Sequence, residues 1–279
     1  MTLPPGASDV RRIGGGDINE SFHVLLADGS DAFVKTRADA SPGEYAAEAG
    51  GLAWLAEPGG LRTPRVLVLD ERYLALEWIE PGRLEDAGAE ELGRGLAATH
   101  VAGAPRFGAV EDSHRHSPAR FGSLGLPNDP TGDWPTFYAE RRLRPLAAIA
   151  RERQALPEPA IRALESVCER IGELCGPPEP PARLHGDLWS GNVMADSSGR
   201  PWLIDPSAYG GHREVDLAML RLFGAPSERV FSAYEELAPL APGSQQRVEL
   251  YQLLPLLVHA LLFGGSYRAA AERTARHYA

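Results

Sequence analysis

Apolar and polar positions follow two regimes along the chain, with the change near residue 80. Before it, short runs read as strands: Val10 to Ile13, Phe22 to Leu26, Ala32 to Lys35, Pro64 to Leu69 and Tyr73 to Trp78. Ala27-Asp28-Gly29-Ser30 between two of them is hairpin-turn chemistry. One helix interrupts the strands. Ser41 reads as its N-cap, Pro42 as its first residue and Glu44 as the acid of a capping box. Tyr45, Glu48, Leu52 and Leu55 then recur at 3-4-3 spacing and share one face. Beyond residue 80 the period is helical: Ala89 to Ala102, Asp133 to Ala150, Pro157 to Leu174, Leu217 to Phe223, Ser227 to Leu237 and Gln245 to Arg276. Residues 103–133, rich in Gly, Pro, His and Ser, read as a long loop. A short strand, turn and strand return at Val193-Met194, Ser197-Ser198-Gly199 and Trp202-Leu203-Ile204. The pattern predicts an α+β chain: a small antiparallel-sheet lobe over residues 1–79, then a larger, mainly helical lobe over 80–279.

Composition narrows the function classes. The 279 residues are 43% hydrophobic and 24% charged, which describes a globular chain with ample core. A net charge of −10 without any run of Lys or Arg argues against nucleic acid as a partner. The two cysteines, Cys168 and Cys175, are too few for a disulfide framework and read as core thiols, so a reducing compartment, the cytoplasm, is expected. The opening MTLPPGASDV lacks a basic-then-apolar signal segment. The apolar run from Leu250 to Phe263 is too short to span a bilayer and contains Gln252, Pro255 and His259, so no membrane partner is expected.

The densest candidate chemistry lies in 184–206, LHGDLWSGNVMADSSGRPWLIDP. The strand-turn-strand pattern would bring Asp187, Asn192 and Asp205 to one end of a hairpin. An Asp carboxylate and an Asn carbonyl are hard oxygen ligands of the kind Mg2+ takes. A separate carboxylate is needed to orient a hydroxyl and accept its proton. The order H-x-D-x-x-x-x-N followed by Asp after a hairpin is that of the catalytic and metal loops of protein-kinase-like enzymes. On that reading Asp187 is the base, and Asn192 and Asp205 are the Mg2+ ligands. Lys35 is the only lysine among 28 basic residues, and it lies on the third strand, where such enzymes carry the lysine that contacts ATP phosphates. Glu48 puts a carboxylate on the apolar face of the following helix, where it needs a partner, and Lys35 is the natural one. Gly14, Gly15 and Gly16 form a turn whose backbone N–H groups could approach phosphates. Glu77 to Gly82 reads as a linker whose backbone would bond adenine, with Glu77 and Ile79 the residues assigned there.

The chain also resembles the fructosamine kinase (ketosamine 3-kinase) family, nearly end to end. The resemblance rests on GGGDIN at 14–19, FVK at 33–35, DWPTFYAERRL at 133–143, LHGDLWSGNV at 184–193, IDPSAYGGHREVDLAML at 204–220 and YQLLPLLVHALLFGGSYR at 251–268. The HGD…N and IDP pieces alone would also suit aminoglycoside and choline kinase relatives. Trp189, the GHRE run and the C-terminal motif narrow the resemblance. It implies a two-lobed protein-kinase-like fold. It also implies transfer of the ATP γ-phosphoryl group to the 3-hydroxyl of a ketosamine, small or protein-bound, with release of the amine as the 3-phosphate breaks down. Many family members carry Cys where this chain has Asp17, so a disulfide dimer through that loop is not expected and a monomer is. Trp189 is placed to stack on the sugar-amine. His212 and Glu214 either meet the substrate or fix their loop, and Asp216 reads as a helix cap. His259 either reaches the cleft or is a core histidine, and His100 reads as structural. Two other functions remain open: a kinase of the same fold acting on another hydroxyl, and a non-catalytic nucleotide-binding protein.

Overall fold

A computed structural model describes residues 2–14, 19–110, 118–224 and 227–279. The N-terminal region is one antiparallel sheet of β1 (Ser8–Ile13), β2 (Glu20–Leu25), β3 (Asp31–Thr36), β4 (Val66–Leu69) and β5 (Tyr73–Glu77), in the order β1-β2-β3-β5-β4. Period-2 alternation gives the sheet two faces. Phe22, Val24, Ala32, Val34, Tyr73 and Ala75 bury one of them beneath Leu3 and Ala7. Lys35 points to the other, opposite Ser21 on β2 and Leu74 on β5. Helix α1 (Glu44–Ala56) packs on that second face, with Tyr45, Ala49 and Leu52 against Leu74 and Leu76.

The start of α1 differs from expectation. It begins at Glu44, after Gly43 in the left-handed region (φ 76°), and not at Ser41 and Pro42. Only half of the capping box forms: the Ser41 N–H donates to Glu44 Oε2 at 3.1 Å, while no side chain caps the helix. The Glu44 carboxylate also holds Arg37 at 2.7 Å, which draws it back from the helix axis.

The remainder is mainly helical. It comprises α2 (Asp86–Ala102), α3 (Trp134–Tyr138), a π-helical turn (Ala139–Leu143), α4 (Arg144–Glu152), α5 (Glu158–Leu174), α6 (Glu214–Leu222), α7 (Glu228–Leu237), α8 (Ser244–Leu262) and α9 (Ser266–Tyr278). Asp133 caps α3 by accepting the Thr136 N–H at 2.8 Å. Three short hairpins or pairs punctuate the helices: β6 (Ala119–Phe121) with β7 (Leu124–Leu126), β8 (Ala182–Leu184) with β11 (Tyr209–Gly211), and β9 (Val193–Ala195) with β10 (Pro201–Leu203).

Three of these features depart from the pattern-based reading. The expected loop over 103–133 contains the β6–β7 hairpin. The expected helix from Gln245 to Arg276 is two helices, broken at Gly264 (φ 69°) and Gly265 (φ 58°). Strand β11 is three residues of Tyr-Gly-Gly, too short to show a period. Arg142 is wholly buried, its guanidinium 4.5 Å from the Phe137 ring and 4.3 Å from Tyr209. Among the described residues no helix is long and apolar enough to cross a membrane.

Candidate active site

The chain leaves β8 through His185-Gly186-Asp187 and returns through the β9–β10 hairpin to Asp205. Gly186 makes that exit possible. Its φ is +83°, and a Cβ there would lie 2.0 Å from the carbonyl oxygen of Ser207. His185 ties the two loops together. Its Nε2–H donates to the Ile204 carbonyl at 2.9 Å, and its Nδ1 accepts the Asp187 N–H at 3.3 Å. Burial holds its pKa below the ordinary value, which keeps it a neutral strut. Asp216, fully buried in the first turn of α6, fixes the loop from below. Its carboxylate accepts the N–H groups of His185 (2.7 Å) and Gly186 (3.0 Å) and faces His100 Nε2 at 3.3 Å. His100 Nδ1 in turn accepts from Tyr234 Oη at 2.9 Å. The helix-cap reading of Asp216 therefore gives way to a loop-anchoring one, and His100 is a satisfied structural histidine. An Asp amid the apolar run Val215, Leu217, Ala218 was the available signal.

Five expected residues meet across the sheet and the loops. Lys35, 3% exposed, reaches Glu48 on α1 in an ion pair and Asp205 Oδ1 at 2.6 Å. Burial alone would strip charge from Lys35; Asp205 and Glu48 outweigh it and hold the ammonium pKa above the ordinary value. Burial pushes Glu48 up to about 7 against the pull of Lys35. Burial likewise pushes Asp187 up to about 7, with Asp205 adding to the rise. Asp205 goes the other way, because Lys35 outweighs its burial. Its backbone sits in the left-handed region at φ +54°, a conformation few non-glycine residues adopt. Asn192 donates its Nδ2 to the Asp187 carbonyl (2.8 Å) and carboxylate (3.2 Å). Among the described residues none donates to Asn192 Oδ1. Gly51 explains the glycine pair within α1: a Cβ there would meet Ala208 Cβ at 3.2 Å and Pro206 Cγ at 3.3 Å, so a small residue lets α1 approach the Asp205 loop.

The other candidates divide. Gly14 follows β1 with open space around it, while Gly15 and Gly16 lie outside the described residues, as does Asp17. Glu77 pairs through its side chain with Arg65, and Ile79 is buried beyond β5. Trp189 is 40% exposed, two residues from Asp187. His259 lies among Phe223, Phe263 and Tyr267. His212 and Glu214 are both buried. His212 is 3% exposed and stacked on Tyr251 at 5.3 Å, and burial lowers its pKa to about 4. Glu214 is clamped by both arms of the Arg247 guanidinium, at 2.8 and 2.5 Å. Their partners lie far off in sequence, so the GHRE run could not reveal the burial.

The arrangement places a carboxyl of raised pKa beside a lysine-anchored Asp and an amide oxygen without a donor. It can accept a proton from a hydroxyl at Asp187. Asp205 and Asn192 Oδ1 form a hard-oxygen pair that suits a divalent cation. Together, the buried Lys35 and three carboxylates leave a surplus of negative charge that a cation would offset.

The model of the fructosamine kinase family matches residues 4–278. A probable ketoamine kinase of Synechocystis sp. is 38% identical over 271 residues, covering 94% of this chain and 88% of the relative. The solved structure of a candidate fructosamine-3-kinase from Thermobifida fusca YX-ER1 superposes with a TM-score of 0.88 at 44% identity, covering 98% of this chain and 93% of that one. The choline kinase LicA from Streptococcus pneumoniae shares the fold at a TM-score of 0.64 and 17% identity, covering 98% and 94%.

Proposed function

The chain belongs to the fructosamine kinase family and is an ATP-dependent kinase acting on a hydroxyl group, and on that premise we propose that its acceptor is the 3-hydroxyl of a ketosamine. Residues 1–79 form the nucleotide lobe in this reading, with the backbone of Gly14 and Ile79 facing ATP. Lys35, held by Glu48, positions the phosphates. Asp187 orients the sugar 3-hydroxyl and takes its proton as the oxygen bonds the γ-phosphorus and ADP departs. Asn192 and Asp205 would hold Mg2+, which neutralises charge on the phosphates when bound. Phosphate on C3 lies beside the C2 carbonyl. Enolisation toward C1 gives an enaminol that expels phosphate by breaking the C3–O bond, and water then hydrolyses the resulting C1 imine, freeing the amine. Cys168 and Cys175 are buried free thiols, which suits a reducing cytoplasm.

The observation that carries the reading is Asp187. Its carboxylate is held by Asn192 Nδ2 at 3.2 Å, beside the Lys35–Asp205 contact at 2.6 Å that joins the sheet to the loop after the β9–β10 hairpin. The test is ATP-dependent phosphorylation of lysine-linked ribulosamine, erythrulosamine and fructosamine. Transfer to at least one, lost in Asp187→Ala, is the expected result. No transfer to any of the three, with ATP still bound, would overturn the ketosamine reading and leave a kinase for another hydroxyl.

A further inference from the structure

Helix α1 carries Glu48, and its C-terminal end is completed by a side chain from the helical region. Inside a helix each carbonyl is met by the N–H four residues on. Glu57 still has helical angles (φ −52°, ψ −41°), and its N–H donates to the Ala53 carbonyl at 3.1 Å. The next donor in the series would come from residue 58 and meet the Trp54 carbonyl. That residue is Pro58, which has no N–H. Arg183 supplies the missing donor. Its Nη1 donates to the Trp54 carbonyl at 2.9 Å and to Glu57 Oε2 at 2.6 Å, and its guanidinium lies 5.0 Å from the Trp54 ring. Its Nε donates to the carbonyl of Gly103, just past α2, at 2.8 Å. Arg183 is the middle residue of β8, two residues before His185. We propose that Arg183 is a positioning residue for phosphate binding: it moors α1 to the strand that feeds the catalytic loop, and so fixes Glu48, and Lys35 through it, relative to Asp187 and Asp205.

Three observations support this. First, β8 is itself fixed and cannot follow α1. Arg183 pairs through its backbone with Gly210 of β11, and Asp216 holds the His185 and Gly186 N–H groups just beyond. Second, Glu48 lies between two grips on α1. Tyr45, Ala49 and Leu52 hold the helix to the sheet, while Gly51 lies against Pro206 and Ala208 of the Asp205 loop and Arg183 holds the end. Third, the mooring is close and stiff. The Arg183 side chain is only 15% exposed, and six residues of helix, about 9 Å, separate Trp54 from Glu48. A shift at the moored end is therefore carried to the Glu48 carboxylate. Without the guanidinium the Trp54 carbonyl loses its donor and the end of α1 parts from β8. Glu48 is then drawn off, and Lys35 is left to Asp205 alone.

The test is the Kd for ATP with Mg2+, titrated on the full chain; it needs no acceptor and so stands apart from the ketosamine reading. It does rest on Lys35 and Glu48 positioning the phosphates, as in the proposed function. On that premise Glu48→Ala should weaken ATP binding about tenfold and Arg183→Met about fivefold. The two losses should not add: once Glu48 is gone, Arg183→Met should change Kd less than about twofold. Arg183→Lys keeps the charge without the fork and should fall between Arg183→Met and the unaltered protein. Glu57→Gln removes only an exposed carboxylate and should stay within about twofold. Pro58→Ala separates positioning from simple capping. Added to Arg183→Met, it returns an N–H to the Trp54 carbonyl and should recover melting temperature without recovering ATP affinity, since the helix end is capped but still unmoored. Unchanged affinity in Arg183→Met, a full further loss beside Glu48→Ala, or recovery of affinity together with stability by Pro58→Ala would each overturn the positioning role. Unchanged affinity in Glu48→Ala would instead overturn the phosphate role of the Lys35–Glu48 pair, and the role of Arg183 with it. Melting curves confirm that each variant compared is folded.

Discussion

Two clusters of paired charge in this molecule are built on opposite rules. Around Glu179 and Glu214 the account balances. Arg213 grips Glu179 at 2.7 and 2.8 Å, and Arg247 grips Glu214 at 2.8 and 2.5 Å. Each is a two-armed guanidinium–carboxylate fork, complete without a ligand. Around Lys35 it does not. One ammonium faces Glu48 and Asp205, and Asp187 stands close enough to feel Asp205. Burial, with Asp205 adding to it, pushes both Glu48 and Asp187 to about 7. The matched cluster is architecture. On the proposed function, the unmatched one is a site whose missing positive charge would arrive with the reaction's own components. The use of lysine in one and arginine in the other fits this division: a compact point charge can be shared with phosphates, whereas a fork is saturated by its carboxylate.

Substitutions should separate the two clusters by what they damage. The largest effect is expected at the base. Asp187→Asn should lower kcat by about 10³-fold, within the usual range for removing a general base. Its melting temperature should equal or exceed that of the unaltered protein, because an amide replaces a carboxyl whose charge is disfavoured there. Phosphoryl-transfer rates and thermal melts on the same preparation check both halves, and retention of more than about a tenth of the activity would refute the role. The matched cluster should show the reverse. Arg247→Met strands Glu214 in the interior and should cost about 3–5 kcal/mol, seen as a melting temperature lower by about 10 °C. The KM for ATP in the folded fraction should not move. Adding Glu214→Met to that variant should restore much of the loss, since removing both charges avoids the unpaired one.

The same contrast explains what was legible in the chain. Lys35, Glu48, Asp187, Asn192 and Asp205 could be paired beforehand because each is an anomaly of type in its local pattern: a lone lysine, an acid on an apolar stripe, polar groups at fixed spacing between apolar strands. The five sheet strands were legible for the same local reason. His212 and Glu214 could not be placed from sequence because their partners, Tyr251, Glu179 and Arg247, come from distant segments, and a charge sealed by a distant arginine looks in sequence like a charge awaiting a ligand. Strand β11 is defined only by its pairing with β8. The break between α8 and α9 was hidden because apolar positions continue across Gly264 and Gly265. The loop-anchoring role of Asp216 was missed because its three partners are two backbone N–H groups and a histidine 116 residues away.

Asp216 makes a smaller, sharper test, since it supports the unmatched cluster without belonging to it. Asp216→Asn keeps the shape but turns an amide NH2 toward converging donors. Losing a charge-assisted bond at a buried site costs about 2 kcal/mol. The expected outcome is a kcat lower by about tenfold, with the KM for ATP unchanged and a modest drop in melting temperature. His100→Gln should give a weaker version, because it removes only the outermost partner. If Asp216→Asn lowered stability and left kcat intact, Asp216 would belong with the matched cluster.

The smallest effect concerns the charge surplus alone. In the ligand-free protein, Asp187 has a native pKa of about 7, above its unfolded value. A carboxyl so raised contributes stability that is fully present below the unfolded pKa and is lost as pH rises through about 7. Buried neutral histidines work in the opposite sense. His212, held near 4, destabilises the fold as pH falls below the ordinary histidine value. A simple pH–stability curve therefore mixes the two. Comparison with Asp187→Asn removes the confusion, because both proteins keep the same histidines. The gap in melting temperature, variant minus unaltered, should open by a few degrees from pH 5.5 to pH 8. A gap that stays constant would mean that Asp187 ionises like an ordinary carboxyl, and the distinction between an unmatched and a matched cluster would then rest on hydrogen-bond geometry and not on charge.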